Sequence, residues 1–437
     1  MSTFNLDHNI ISAAFYLAYE MLPFPMPPQR CLSVCQHQFT ENLTDNHLPH
    51  KLLWALISQQ ESMLETEFLK HGDDSGNGTL LKFTSSNGAV VKAIGVPQAW
   101  DTPLGPTWCY VIEGDDLTIV DPGAHGSVTY LEQGLEALGH SLSDVDRVVV
   151  SHGHMDHDGN CPPVIQRSGA ELWAHEIYGS MLTTNRRDLE VVWRREVQGF
   201  DLFEKSDTMT RAKEHHELNQ NLVLDHPVVD GLKAGELTFY YTPGHSPDEL
   251  CIQFDQMLFS GDHILPIITP HPSVAMSYNS YQATLPAAYQ DNNDIYGLKA
   301  LLTSLKRMAE LEGDITVLPA HRAFFRGQLN PIGLERATEI LEHHRERCHE
   351  LTDVMKQGPI DLVSLTKEYF SHRELEDHNF FLAFTEVMAH IELMQEAGDI
   401  SVITGPMGSK RWSNGLGPEI LVRWDETEKF SALIDDL

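Results

Sequence analysis

Val148-Val149-Val150-Ser151-His152-Gly153-His154-Met155-Asp156-His157-Asp158-Gly159 decides how this chain is read. The β-branched run reads as a buried strand, and the Gly, Asn, Cys and Pro that come next read as a turn opening a helix. His152, His154, Asp156 and His157 therefore stand at a strand's carboxyl end, four potential metal ligands packed into one short turn. Packing alone does not account for such density.

Three further stretches extend the pattern: Thr242-Pro243-Gly244-His245, Phe259-Ser260-Gly261-Asp262-His263 and Leu318-Pro319-Ala320-His321. Each follows a predicted strand and places a ligand type just past its end. This order of His-x-His-x-Asp-His, then His, Asp and His, resembles the metallo-β-lactamase superfamily over about residues 88–335. Leu117-Thr118-Ile119-Val120-Asp121-Pro122-Gly123 is similar to that superfamily's first Asp-rich turn. The resemblance implies an α/β fold, an αββα sandwich of two mixed sheets with helices outside and the site at one edge. It also implies that His152, His154 and His245 hold one metal, that Asp156, His157 and His321 hold a second, and that Asp262 bridges both.

Those residue types suit two divalent ions. Neutral imidazoles bind Zn²⁺ without cancelling its charge, so bound water can be acidified towards a pKa of about 7. A carboxylate can put one oxygen on each of two ions about 3.5–4 Å apart. Zn²⁺ fits such nitrogen and oxygen ligands best, and Fe or Mn also accept them. The chain has Asp262 where the antibiotic-hydrolysing branch uses Cys, which argues against β-lactamase activity. Oxygen-reducing relatives usually carry Glu where Asp156 stands, which favours hydrolysis. The expected chemistry is attack by a hydroxide shared between the ions, with Asp156 as second-metal ligand and ancillary base. His263 is expected to support Asp262. His175 either faces the cleft or serves the fold, and Tyr278 and Tyr281 are expected to pack within a lid-like insertion. Arg322, replacing a Gly common in relatives, reads as a surface residue within reach of an anionic substrate.

Composition bounds the partners. The chain has 437 residues, 41% hydrophobic and 21% charged, an ordinary globular balance long enough for two or three domains. With 63 acidic and 30 basic residues its net charge of -33 repels phosphate backbones. Six scattered cysteines fit a reduced interior, Asp7 and Glu20 around the first apolar stretch argue against a signal peptide, and no run is long enough to span a membrane. A cytoplasmic protein is expected.

Three parts are predicted. Residues 1–85 read as a mainly helical extension, with a helix at about 10–21, another at about 50–70 and a linker at 73–78. Residues 86–340 read as the metal domain. Residues 341–437 read as a winged-helix-like domain: a long charged helix over about 334–356, a short helix past Gly358-Pro359, an amphipathic helix over about 380–397 stopped by Gly398, and a hairpin of 400–403 with 405–412. That architecture resembles the lactamase-β-like-2 branch, whose members include hydroxyacylglutathione-type and carrier-protein thioesterases and a single-strand endoribonuclease. Residues 341–437 hold 9 basic against 19 acidic residues, and the third helix carries Glu386, Glu392 and Glu396, so nucleic acid is an unlikely partner. Its Phe380, Phe384, Val387, Ile391 and Met394 form a packing stripe. The expected activity is cleavage of an ester, thioester or lactone of a small or carrier-linked acyl substrate, with single-stranded RNA as the alternative. A homodimer is a further expectation.

Overall fold

The computed structural model describes residues 64–100, 102–184, 207–373, 377–404 and 420–437. Its first sheet runs in chain order: β1 (Glu65–Lys70), β2 (Leu80–Thr84), β3 (Val90–Val96), β4 (Thr107–Glu113), β5 (Leu117–Val120), β6 (Arg147–Val149), β7 (Glu171–His175) and β8 (His226–Val228). Strands β1 to β5 pair antiparallel through short turns, whereas β5 to β8 pair parallel and need crossovers. Helices α1 (Val128–Ala137), α2 (Cys161–Ser168), α3 (Glu176–Thr183) and α4 (Asp207–Asn219) lie in those crossovers.

The second sheet is built from β9 (Lys233–Ala234), β10 (Leu237–Tyr241), β11 (Leu250–Phe254), β12 (Met257–Phe259), β13 (Thr316–Leu318) and, past the small hairpin of β14 (Phe324–Phe325) and β15 (Gln328–Leu329), β16 (Ile332–Gly333). Its order is β16-β13-β12-β11-β10-β9, with β12 and β13 parallel. Trp108, Tyr110 and Ile112 of the first sheet share one buried cluster with Phe239, Ile252 and Phe259 of the second, so the two inner faces meet. The outer face of the first sheet packs Val111, Ile119 and Val148 against Leu131, Leu135 and Val164 of α1 and α2. Leu258 and Val317, on the outer face of the second, pack against Leu301 and Leu305. The layers are therefore helix, sheet, sheet, helix, as expected of an αββα sandwich.

Those last leucines belong to α6 (Gly297–Ala309), which follows the short α5 (Ser277–Tyr281). Beyond them come α7 (Glu335–Met355), β17 (Ile360–Asp361), α8 (Leu362–Tyr369), α9 (Asp377–Ala397), β18 (Ile400–Thr404), β19 (Ile420–Trp424) and α10 (Lys429–Asp436). The predicted stripe on α9 is buried in the same cluster as α6 and α7, and Gly398 ends the helix at φ 81°. The three helices stand close to their expected bounds.

Two readings are corrected. The predicted helix over 50–70 lies mostly outside the described residues, but Glu65–Lys70 at its end is a strand, paired with β2. The helix-forming Glu, Leu and Lys there yield to backbone pairing at a sheet edge. The α/β domain's first sheet thus includes 65–70 and 80–84, residues assigned above to the extension, and 73–78 is the ordered turn between them: Asp73 Oδ1 accepts from Ser75 N and Asn77 N at 2.9 Å. At the other end, the hairpin partner of β18 is β19, which pairs Val402 with Val422, while 405–412 lies outside the described residues. Residues 1–63, the rest of the extension expected over 1–85, lie outside them too. Among the described residues no helix is long and apolar enough to cross a membrane.

Candidate metal centre

Five strands deliver the site from their carboxyl ends. β5 leads to Asp121, β6 to His152, β10 to His245, β12 to Asp262 and β13 to His321, and the two sheets bring these ends together along one edge. All seven predicted ligand residues meet there.

Two groups of donor atoms result. His154 Nδ1 lies 2.9 Å from His152 Nε2 and 3.1 Å from His245 Nε2. His321 Nε2 lies 3.3 Å from Asp156 Oδ2, and His157 Nε2 lies 3.9 Å from that same oxygen. Asp262 stands between the groups. Its Oδ1 is 3.4 Å from His321 Nε2 and 3.6 Å from His157 Nε2, while its Oδ2 is 3.6 Å from His245 Nε2.

The far side of four of the five rings is already committed. His157 Nδ1 donates to Asp121 Oδ2 (3.0 Å), His321 Nδ1 to the Pro106 carbonyl (3.0 Å) and His245 Nδ1 to the His271 carbonyl (2.7 Å). Ser151 Oγ donates to Asp121 Oδ2 (2.7 Å), so it is free to accept from His152 Nδ1 (3.0 Å). With Nδ1–H spent in this way, each Nε2 carries a lone pair turned inward. Nε2 of His157, Nε2 of His321 and Oδ1 of Asp262 are buried and make no hydrogen bond. Converging lone pairs without a proton between them are costly when buried, and a cation resolves the cost. The donor set fits two divalent ions.

Burial lowers His157 and His321, but Asp156 and Asp262 outweigh it and raise both above the usual imidazole range, so the cluster favours positive charge, which protons on these rings or bound cations would supply. Burial alone would raise both carboxyls, but His157 and His321 outweigh it and hold Asp156 and Asp262 below the usual carboxylate range. His152 is held down by burial and by the neighbouring His157. Glu249, beneath the site, goes the other way: burial and the adjacent Asp262 push it well up, and its Oε1 accepts from Asp262 N (3.0 Å).

Several supporting residues were missed as site residues in the sequence. Asp121 is one, although the strand followed by Asp-Pro-Gly marks it. Asp248 Oδ2 accepts from Gly153 N (2.8 Å) and fixes the turn between His152 and His154. Thr107 Oγ1 donates to the Asp156 carbonyl (2.8 Å), and Gln98 Nε2 donates to Thr107 Oγ1 (3.0 Å) and lies 3.4 Å from Asp156 Oδ2. Their partners are 49 and 58 residues away, and no local pattern signals them.

The remaining candidates are buried or partnered within the fold. His175 caps α3 by accepting from Ile177 N (3.3 Å), stacks on Tyr241 at 3.9 Å, and is pushed down to about 3 by burial. Tyr278 and Tyr281 are buried with Leu285, Ile295 and Tyr296. Arg322 donates to the Pro103 carbonyl (2.8 Å) and lies over the Phe325 ring at 4.7 Å. His263 is fully buried beside Asp262 and pushed down to about 3 by burial.

A separate buried trio, His344, Glu386 and His390, joins α7 to α9. There the Arg347 guanidinium is hydrogen-bonded to Glu386 and already balances its charge.

The loop from His263 to His271 rims the centre. Within it Ile268 N donates to the Pro266 carbonyl at 2.7 Å while Ile267 sits at φ 67°. This is a γ-turn of the rarer, strained hand, occupied by a β-branched residue, and such conformations cost about 1–3 kcal/mol.

The family described as Metallo-beta-lactamase superfamily matches residues 102–321. A protein named probable metallo-hydrolase from Bacillus subtilis is 21% identical over 323 residues, 70% of this chain and 92% of the relative. Another so named, from Methanocaldococcus jannaschii, is 22% identical over 228 residues, 48% of this chain and 85% of the relative. Among solved structures, a metallo-beta-lactamase family protein from Thermus thermophilus superposes with TM-score 0.56 at 24% identity, covering 76% of this chain and 98% of the other. A beta-lactamase domain protein from Burkholderia ambifaria gives TM-score 0.57 at 22% identity, covering 84% and 98%.

Proposed function

The chain belongs to the metallo-beta-lactamase superfamily, and we propose that it is a dinuclear metal-dependent hydrolase cleaving an ester, thioester or lactone of a small or carrier-linked acyl substrate. The observation that carries this reading is the split of Asp262, one oxygen towards His157 and His321 and the other towards His245. A carboxylate so divided suits a two-ion site.

In this reading His152, His154 and His245 would hold one ion and Asp156, His157 and His321 the other, with Asp262 available to both. Bound there, divalent ions supply Lewis acidity and a water acidified towards a pKa of about 7. Zn²⁺ is the favoured ion by donor type, with Fe or Mn as alternatives. Asp156 would orient the attacking water, take its proton as the new acyl C–O bond forms, and return it to the oxygen or sulfur released when the scissile bond breaks; Thr107 and Gln98 keep that carboxylate in place. The C-terminal helices, in a winged-helix-like arrangement, shape the cleft through contacts such as the Glu392 carboxylate accepting from Ala275 N and Met276 N.

The net charge of -33 favours acyl substrates over RNA. One purified sample assayed against acyl-glutathione, acyl-CoA, lactones, an activated phosphodiester and single-stranded RNA, with metal content measured in parallel, tests the reading. Turnover of an ester, thioester or lactone is expected, lost in His154→Ala. RNA cleavage lost in His154→Ala, with no acyl turnover, would replace it with the phosphodiesterase reading.

A further inference from the structure

We propose that Ile267 is a specificity-determining residue that receives an apolar segment of the substrate at the rim of the metal centre. The identification of that segment as the acyl part rests on the hydrolase reading above; the apolar contact itself does not.

The rim loop is tied to the centre at both ends. It starts beside Asp262 and finishes at His271, whose carbonyl oxygen accepts from His245 Nδ1 at 2.7 Å. Just past it, Ser273 N donates to the Gly244 carbonyl at 2.8 Å, next to His245. The middle of the loop is clamped as well: Arg336 Nε donates to the Leu265 carbonyl (2.9 Å) and Arg336 Nη2 to the Ile268 carbonyl (3.1 Å). These two bonds flank the γ-turn and hold Ile267 in its unfavourable backbone conformation.

The loop's apolar side chains divide sharply. Ile264 and Leu265 are buried, whereas Ile267 is 61% exposed. A branched apolar residue in this position gains little for the fold: Gly or Asn would relieve the backbone at small loss of packing. Strain kept by a surrounding clamp, on a solvent-exposed side chain in the loop that runs from Asp262 to the His271 carbonyl held by His245, is what a preformed ligand contact would show. Leu382 of α9 is 38% exposed, and its carbonyl accepts from His271 Nε2 at 3.0 Å, so a second apolar side chain stands by the same loop. On a surface this acidic, an apolar rim selects an uncharged chain.

The test uses the metal-loaded protein and straight-chain alkanohydroxamates of increasing length, whose head chelates the ions while the chain reaches outward. Wild type should gain about tenfold in affinity across the series as methylenes are covered. Ile267→Gly should bind the shortest member equally well, keep its metal content and melt no lower, yet lose the gain with length; Ile267→Val should keep most of it. A length gain that survives in Ile267→Gly, or that is missing in wild type, overturns the proposal. Failure of the hydrolase reading is separately visible: wild type would then show the length gain for hydroxamates but turn over no ester, thioester or lactone.

Discussion

Asp121 Oδ2 lies 3.0 Å from His157 Nδ1, and the other oxygen of the same carboxylate accepts from Ser151 N at 2.8 Å. One side chain at the end of β5 thus orients a candidate ligand of the second ion and also fixes the strand end that carries His152. Asp121 holds this position at φ 52°, a left-handed backbone that Asp tolerates better than most residues.

Asp121→Asn should therefore lower occupancy of the second ion more than the first. Removing such a carboxylate partner typically costs 10- to 100-fold in metal affinity. Metal titration of the variant, followed by stoichiometry at limiting ion concentration, checks it; two ions bound with unchanged affinity would show that His157 is oriented by something else.

Gly244→Ala should destabilise the protein and displace His245. At φ 138° a Cβ would lie 2.2 Å from Leu301 N and 2.3 Å from its Cα, so the backbone of α6 would have to move. A loss of about 2 kcal/mol or more is expected, with weaker binding at the first ion. A melting temperature within a degree of wild type would contradict the packing described.

Arg347→Ala should be the most damaging change far from the centre. Burial would raise Glu386, but Arg347 outweighs it and draws the carboxyl down to about 2, so the variant leaves a buried carboxylate unpaired. Such losses run to about 3–5 kcal/mol, whereas Arg347→Met combined with Glu386→Leu should recover most of it. Denaturant unfolding of the single and double variants separates these outcomes.

Acid should loosen the helical region before carboxylate titration begins. His344 and His390 are buried 3.1 Å apart, both pushed down by burial, His390 to about 4. The unfolded chain takes up a proton at each near pH 6.5, whereas the folded chain does not. Their stability is therefore fully present above about pH 6.5 and lost as pH falls towards 4, at up to about 1.4 kcal/mol per pH unit for each. Calorimetry from pH 7.5 to 5 should show this slope reduced in His390→Gln; an equal slope in both would place the titration elsewhere.

Much of the centre could be read from the chain because each candidate ligand follows a strand within a few residues, and period-2 runs with Gly or Pro breaks are local signals. Helix α9 was legible through its apolar stripe, and α7 as a long charged helical segment ending before the Gly358-Pro359 break. What was hidden depends on distant partners. Glu65–Lys70 has no strand pattern of its own and becomes one only against β2; Asp248 gains its role only when the two sheets meet, and Gln98 and Glu249 gain theirs through partners on other strands of their own sheets. The γ-turn at Ile267 was invisible because Pro-Ile-Ile contains no residue that asks for a positive φ; the Arg336 clamp imposes it.

The division of the seven site residues between two sheets has a kinetic and thermodynamic side. His152, His154, Asp156 and His157 come from one half of the sandwich, and His245, Asp262 and His321 from the other, so no partly folded chain with undocked halves can present the full donor set. Any ion shared across that seam closes a long loop and binds the native state selectively, adding RT ln(1 + [ion]/Kd) to its stability. Each tenfold rise in free ion above the dissociation constant should add about 1.4 kcal/mol, which makes the centre a staple between halves as well as a place for chemistry.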